Sequence, residues 1–117
     1  MSELTNRLRK AREFKLTAGG LNLLLRRPTD AEMVDQAEVG FQSYRFAQRF
    51  VVGWEGVTEN DIYRNSNGDA LEFDSADWAA WVADRKDLWD PICDALLATY
   101  RAHAEELKTT AKNSTPG

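Results

Sequence analysis

His103 and Cys93 are the only histidine and the only cysteine of the chain, and a Cys/His pair is the first constellation to test for nucleophilic catalysis. Ten residues separate them within one expected helix, about 15 Å of rise, so the thiol and the imidazole cannot meet. One residue of each kind also excludes a His-x-x-x-His or Cys-x-x-Cys metal pair within the chain. Asp84, Asp87, Asp90 and Asp94 recur at intervals of three and four and could be imagined as oxygen ligands for a hard cation. Their positions straddle an expected turn and helix start, where carboxylates cap N–H groups and favour the positive end of the helix dipole. The segment YRNSNGDALEFD superficially resembles a calcium loop, but aligning Gly68 with the required glycine puts Tyr63 where the first acidic ligand belongs. Gly19-Gly20 lacks the spacing of a phosphate or dinucleotide loop and reads as a turn. No catalytic residue, cofactor or metal site is expected, and the chain is read as a non-enzyme.

The remaining outliers serve recognition. Arg7, Arg9, Lys10, Arg12 and Lys15 form a basic cluster: residues 1–27 carry seven Lys/Arg against two acids, net +5, whereas residues 28–117 carry eight against seventeen, net −9. Such asymmetry suits a basic arm for nucleic acid or a head-to-tail contact with an acidic surface on a neighbouring copy. The acidic body argues against DNA, because its own field repels phosphates. Four tryptophans, Trp54, Trp78, Trp81 and Trp89, are divided between core and partner surface, since tryptophan serves both.

These residues need elements to place them. At 117 residues the chain holds one core and is read as a single domain. Within it, residues 1–13 form a basic segment, residues 14–107 the core and residues 108–117 a disordered tail. Ser2 can cap a short helix over residues 2–13, marginal unless it docks. Alternating apolar residues from Phe14 to Leu25 around Gly19-Gly20 predict a β-hairpin. Thr29 with Glu32 forms a capping box. From there Val34, Ala37, Phe41, Tyr44, Ala47, Val51 and Trp54 predict one continuous helix with an apolar stripe. Val39, Phe46 and Phe50 fall off that stripe, so the helix is expected either to be buried on two sides or to present one side to a partner, and a small domain has few elements with which to cover both. Thr58 to Asp69 reads as a polar loop with an Asn67-Gly68 turn. Asp74 or Ser75 opens a helix carrying Trp78, Trp81 and Val82, and Asp90-Pro91 opens a last one, with Asp87 as an alternative start. The expected fold class is mainly α: a compact helical domain of three to four helices with a small N-terminal β-hairpin. No apolar run approaches the roughly 20 residues of a membrane span, and MSELTNRLRK lacks a signal peptide's apolar stretch, so the protein is expected in the cytoplasm.

RRPTDAE (Arg26 to Glu32), AQRFVVGWEGVTE (Ala47 to Glu59) and DSADWAAWVADRKDLWDPI (Asp74 to Ile92) together resemble the tail assembly chaperones and related small morphogenesis proteins of tailed bacteriophages and prophages. The resemblance implies a protein that binds the tape measure protein, keeps its apolar helices soluble and recruits tail tube subunits. It also implies a homo-oligomer and a host cell cytoplasmic location. On this reading the partner-binding residues are Val39, Phe46, Phe50, Trp54, Trp78 and Trp81. Two alternatives are a structural head-tail or tail-completion virion protein and a small DNA-binding regulator using the basic N-terminal arm.

Overall fold

The computed structural model describes residues 2–63 and 68–114, with side chains described as far as residue 110. α1 (Glu3–Ala11) leads into β1 (Glu13–Ala18) and β2 (Leu21–Arg26). The two strands pair antiparallel through Gly19 and Gly20, whose φ values of +59° and +77° are the left-handed ones that a two-residue hairpin turn requires. The turn also lies close under the last helix: a Cβ at Gly19 would sit 2.7 Å from Leu88 Cδ2. Leu21, Leu23 and Leu25 point into the core while Asn22 between them is exposed, the two-residue period of a strand with one covered face.

The expected mainly α class is overturned by a third strand. β3 (Val51–Glu55) joins the free edge of β2, giving an antiparallel sheet in the order β1-β2-β3 within a mixed α and β fold. The single long helix expected from Thr29 to Trp54 does not form. It is replaced by α2 (Asp30–Val39), a corner at Gly40, α3 (Ser43–Arg49) and then β3. Gly40 has φ +89° and ψ +134°, a conformation that ends α2 and that side-chain-bearing residues rarely adopt. Beyond α3, Val51, Val52 and Trp54 are residue types that fit a pleated surface. β2 offers them an open ladder: the Arg26 N–H donates to the Phe50 carbonyl at 2.8 Å, and pairing continues through Leu25–Val51 and Leu23–Trp54 with a bulge between Leu24 and Leu25.

The expected three to four helices become six among the described residues, with α4 (Glu59–Ile62), α5 (Ser75–Val82) and α6 (Lys86–Ser114) completing the order. α4 is one turn inside the expected loop, opened by the Asp61 carboxylate accepting from the N–H and hydroxyl of Thr58. Asn67 of the expected turn lies outside the described residues. Asp74 caps α5, accepting from the Asp77 N–H. Asp90-Pro91 does not start the last helix: α6 begins at Lys86 and carries Pro91 inside it. The earlier start is fixed by the Arg85 guanidinium clasping the Asp87 carboxylate at 2.8 and 2.9 Å and by the Trp89 indole reaching back to the Val82 carbonyl at 2.7 Å. At the other end α6 continues past the expected boundary at Lys108 to Ser114. A formed helix adds one hydrogen bond per residue without a new nucleus; residues 115–117 lie outside the described residues.

One core joins these elements. Phe46, Ala47 and Phe50 bring α3 onto Leu23, Leu25 and Val51 of the sheet, Trp78 and Val82 of α5, and Leu88, Ile92 and Leu96 of α6. Among the described residues no helix is long and apolar enough to cross a membrane.

Candidate partner-docking surface

The six residues expected to meet a partner separate into three environments. Phe46, Phe50 and Trp78 are completely buried and cannot touch another protein while the domain is folded. For Phe46 and Phe50, the place on a second helix face was an expectation of the continuous helix. Once that helix breaks at Gly40, Phe46 on α3 and Phe50 at its C-cap lie four apart, with ring centroids 5.3 Å from each other, on the side that the core covers.

Trp54 and Trp81 are half-buried. The Trp54 indole N–H donates to the Leu71 carbonyl at 2.8 Å, its ring lying edge-on to Phe73 and Trp78. The Trp81 N–H donates to the Ile62 carbonyl at 3.1 Å, and the Arg85 guanidinium stands 4.8 Å over its ring. Trp78 donates to the Ala47 carbonyl at 2.8 Å. With Trp89 on Val82, three of the four indoles tie one helix to the backbone of another and Trp54 ties β3 to the segment before α5, a use that composition does not reveal. Val39 is 74% exposed.

Val39 belongs to a surface that α2 and its corner create. Val34 (59% exposed), Val39 and Phe41 (51% exposed) lie on or just beyond the outward side of a helix that buries none of its residues. Phe41 is held by its contact with buried Phe46, the ring centroids 4.8 Å apart, so the surface is anchored directly on the core. Between Val34 and Val39 the helix presents Asp35 and Glu38, both exposed. α2 holds four acids and no base. The result is a surface on which exposed apolar side chains alternate with negative charge, suited to a helix that carries both apolar and basic residues. The sequence reading credited Val34 and Phe41 to a core stripe and so missed them.

A buried-edge ionic cluster fixes this helix to the sheet. The Glu32 carboxylate accepts from Arg26 at 2.8 Å, Arg49 at 3.0 Å and the Thr29 N–H at 2.9 Å, while Thr29 Oγ1 accepts from the Glu32 N–H. Burial alone raises the Glu32 pKa, but the hydrogen bonds from Arg26 and Thr29 and the charges of Arg26 and Arg49 outweigh it and hold the carboxyl below its ordinary value. Both guanidinium groups also cover the Phe50 ring, at 4.8 and 5.3 Å. At the start of α2, Asp30 accepts from the Tyr100 hydroxyl at 2.8 Å, a bond that raises the pKa of the phenol, and His103 Nε2 lies 3.8 Å away.

The residues first considered for catalysis stay apart. Cys93 is buried, its thiol pushed up to about 11 by burial and by Asp94 and Asp90, and His103 lies further along the same helix α6. Among the described residues, no group of three or more His, Cys, Asp and Glu could hold a metal ion. The uncovered face of the sheet carries a depression of about 340 Å³ lined by Lys15, Leu24 and Glu55 among others, spanned by a Lys15–Glu55 ion pair of 3.1 Å. Comparison with protein-family models, curated proteins and solved structures finds nothing that matches the chain.

Proposed function

We propose that this chain is a tail assembly chaperone of a tailed bacteriophage or prophage, acting in the host cell cytoplasm on the tape measure protein and on tail tube subunits. The segments Arg26 to Glu32, Ala47 to Glu59 and Asp74 to Ile92 carry the family resemblance. The observation that bears most on it is the exposed apolar surface of Val34, Val39 and Phe41 on acidic α2. A helper protein that shields apolar helices needs such a surface held open on a rigid body, and Phe41 rests on Phe46 of the core. The client segment would lie along α2 and around the Gly40 corner, its apolar residues on the two valines and Phe41, its basic residues toward Asp35 and Glu38.

Co-expression with the tape measure protein of the same genome tests this reading. Wild-type chain is expected to retain the tape measure protein in the soluble fraction and to co-purify with it. Val39→Asp and Phe41→Asp, at exposed positions, are expected to lose it while keeping their circular dichroism. Retention by both variants would contradict the proposal. Mass spectrometry of purified virions separates it from the virion-component alternative: a chaperone is absent from the particle, a completion protein is present.

A further inference from the structure

The hairpin ladder does not stop where its strands do. β1 and β2 pair as far as Glu13 and Arg26, and one step further the Arg27 N–H donates to the Arg12 carbonyl at 2.9 Å. Arg12 and Arg27 therefore stand directly opposite each other. Side chains alternate along a strand, so both belong to the face that carries Phe14, Leu16, Leu23 and Leu25, the face packed on the core. Two positive charges directly opposite on one face repel, and water screens them incompletely here, since both residues are half-buried.

Nothing among the described residues answers these charges. The Nε of Arg12 is enclosed without a hydrogen-bond partner, and Arg27 donates one N–H to the Pro28 carbonyl at 2.9 Å. Neither guanidinium is in an ion pair among the described residues, whereas Arg26 and Arg49 nearby are both satisfied by Glu32. Asp30 attracts Arg27 from beyond ion-pair distance; its carboxylate accepts instead from the Tyr100 hydroxyl at 2.8 Å, with His103 Nε2 3.8 Å away. Burial and the charge of Arg12 lower the pKa of Arg27, outweighing Asp30, Tyr100 and Glu32. The corner is short of negative charge.

We propose that Arg12 and Arg27 form a binding site for one phosphoryl group, inorganic phosphate or a small phosphate monoester, held between the two guanidinium forks. The chemistry selects phosphate over carboxylate. One fork saturates the two oxygens of a carboxylate, whereas two opposed forks need an anion with oxygens on several sides and a charge of about −2, which phosphate carries near neutral pH. It also selects a single group over a nucleic-acid backbone, because α2, with four acids and no base, starts just beyond Arg27 and repels a row of phosphates. The site lies apart from Val34, Val39 and Phe41 and does not depend on the client's identity.

An NMR titration of the full-length chain with inorganic phosphate, at neutral pH and constant ionic strength in chloride, tests the site. The Arg12 Nε–H resonance is expected to move downfield as it gains an acceptor, with a dissociation constant on the order of 1 mM. Arg12→Gln and Arg27→Gln are each expected to weaken binding by about tenfold or more, followed on the remaining arginine. Both are expected to melt no lower than wild type in phosphate-free buffer, because removing either charge relieves the repulsion. Lys10→Gln removes the same charge from an exposed position of α1 and is expected to leave the constant within about twofold. Glycerol phosphate binding more tightly than phosphate assigns the site to a monoester; equal or weaker binding assigns it to free phosphate. An Arg12 resonance unmoved up to about 20 mM phosphate, equal affinity for acetate, a loss in Lys10→Gln as large as in Arg12→Gln, or preferential binding of a single-stranded oligonucleotide would overturn the inference.

Discussion

The Glu32 carboxylate shows how a single side chain holds several elements, since it caps α2 and binds one arginine from β2 and one from α3. Its folded pKa lies below the ordinary 4.5. The stability it contributes is therefore fully present above that value and is lost as pH falls through the lower folded one. Glu32→Gln is expected to cost about 2 kcal/mol near neutral pH, from charge-assisted hydrogen bonds and part of a cap. The gap in melting temperature between variant and wild type narrows as the pH is lowered from 6 to 3. Cys93 gives a second test: with its thiol near 11, only about one molecule in a thousand carries the thiolate at pH 8. Reaction with a disulfide reagent is expected to be at least about 100-fold slower in the native protein than in guanidinium chloride, where burial is gone. Phe46 and Phe50 belong here too. Introducing an aspartate at either position places an unpaired carboxylate among apolar side chains and is expected to abolish cooperative unfolding, instead of impairing only partner binding.

Among the elements, the corner at Gly40 decides most. It separates a partly docked helix from a buried one and turns Val39 and Phe41 outward. A Cβ at Gly40 meets nothing within 4 Å, so Gly40→Ala probes the backbone conformation alone. The variant is expected to lower the urea midpoint by an amount equivalent to about 1–2 kcal/mol, at unchanged denaturant slope, because alanine must adopt φ near +89° or the corner must move. The Thr29–Glu32 capping box, the hairpin turn and a helix start at Asp74 or Ser75 were legible because each rests on residues within a few positions of one another. β3 was not legible: Val51 to Trp54 continue a three- and four-residue spacing by coincidence, and their strand character depends on an open edge of β2 more than twenty residues away.

The whole molecule is longer than a globule of its size. Its extents are 64 × 33 × 25 Å and its radius of gyration is 16.6 Å, against about 13 Å for a spherical domain of this length. The 29 residues of α6 supply the difference, spanning about 43 Å. Among the described residues its buried positions end at Leu96. Deleting residues 108–117 is expected to reduce the radius of gyration measured by X-ray scattering, while the melting temperature changes by no more than about 2 °C, since residues 108–110 are exposed and surface changes usually cost little. The same reasoning places function on faces: the acid-rich outward side of α2 stands clear of the core and can be altered without unfolding it.

By itself the sequence determined what local chemistry can determine: the helix caps at Ser2 and Thr29, a helix start at Asp74 or Ser75, the reversal at Gly19-Gly20, the separation of positive and negative charge along the chain, and the isolation of Cys93 from His103. These follow from spacing of a few residues, or from counting. Which apolar side chains face inward was decided only by tertiary structure. A phenylalanine on an amphipathic segment looks the same whether its neighbour is a client or the protein's own sheet. Once β3 closed onto β2, Phe46, Phe50 and Trp78 were enclosed and Val34, Val39 and Phe41 were left in water, because burial depends on what a distant part of the chain brings to the same place.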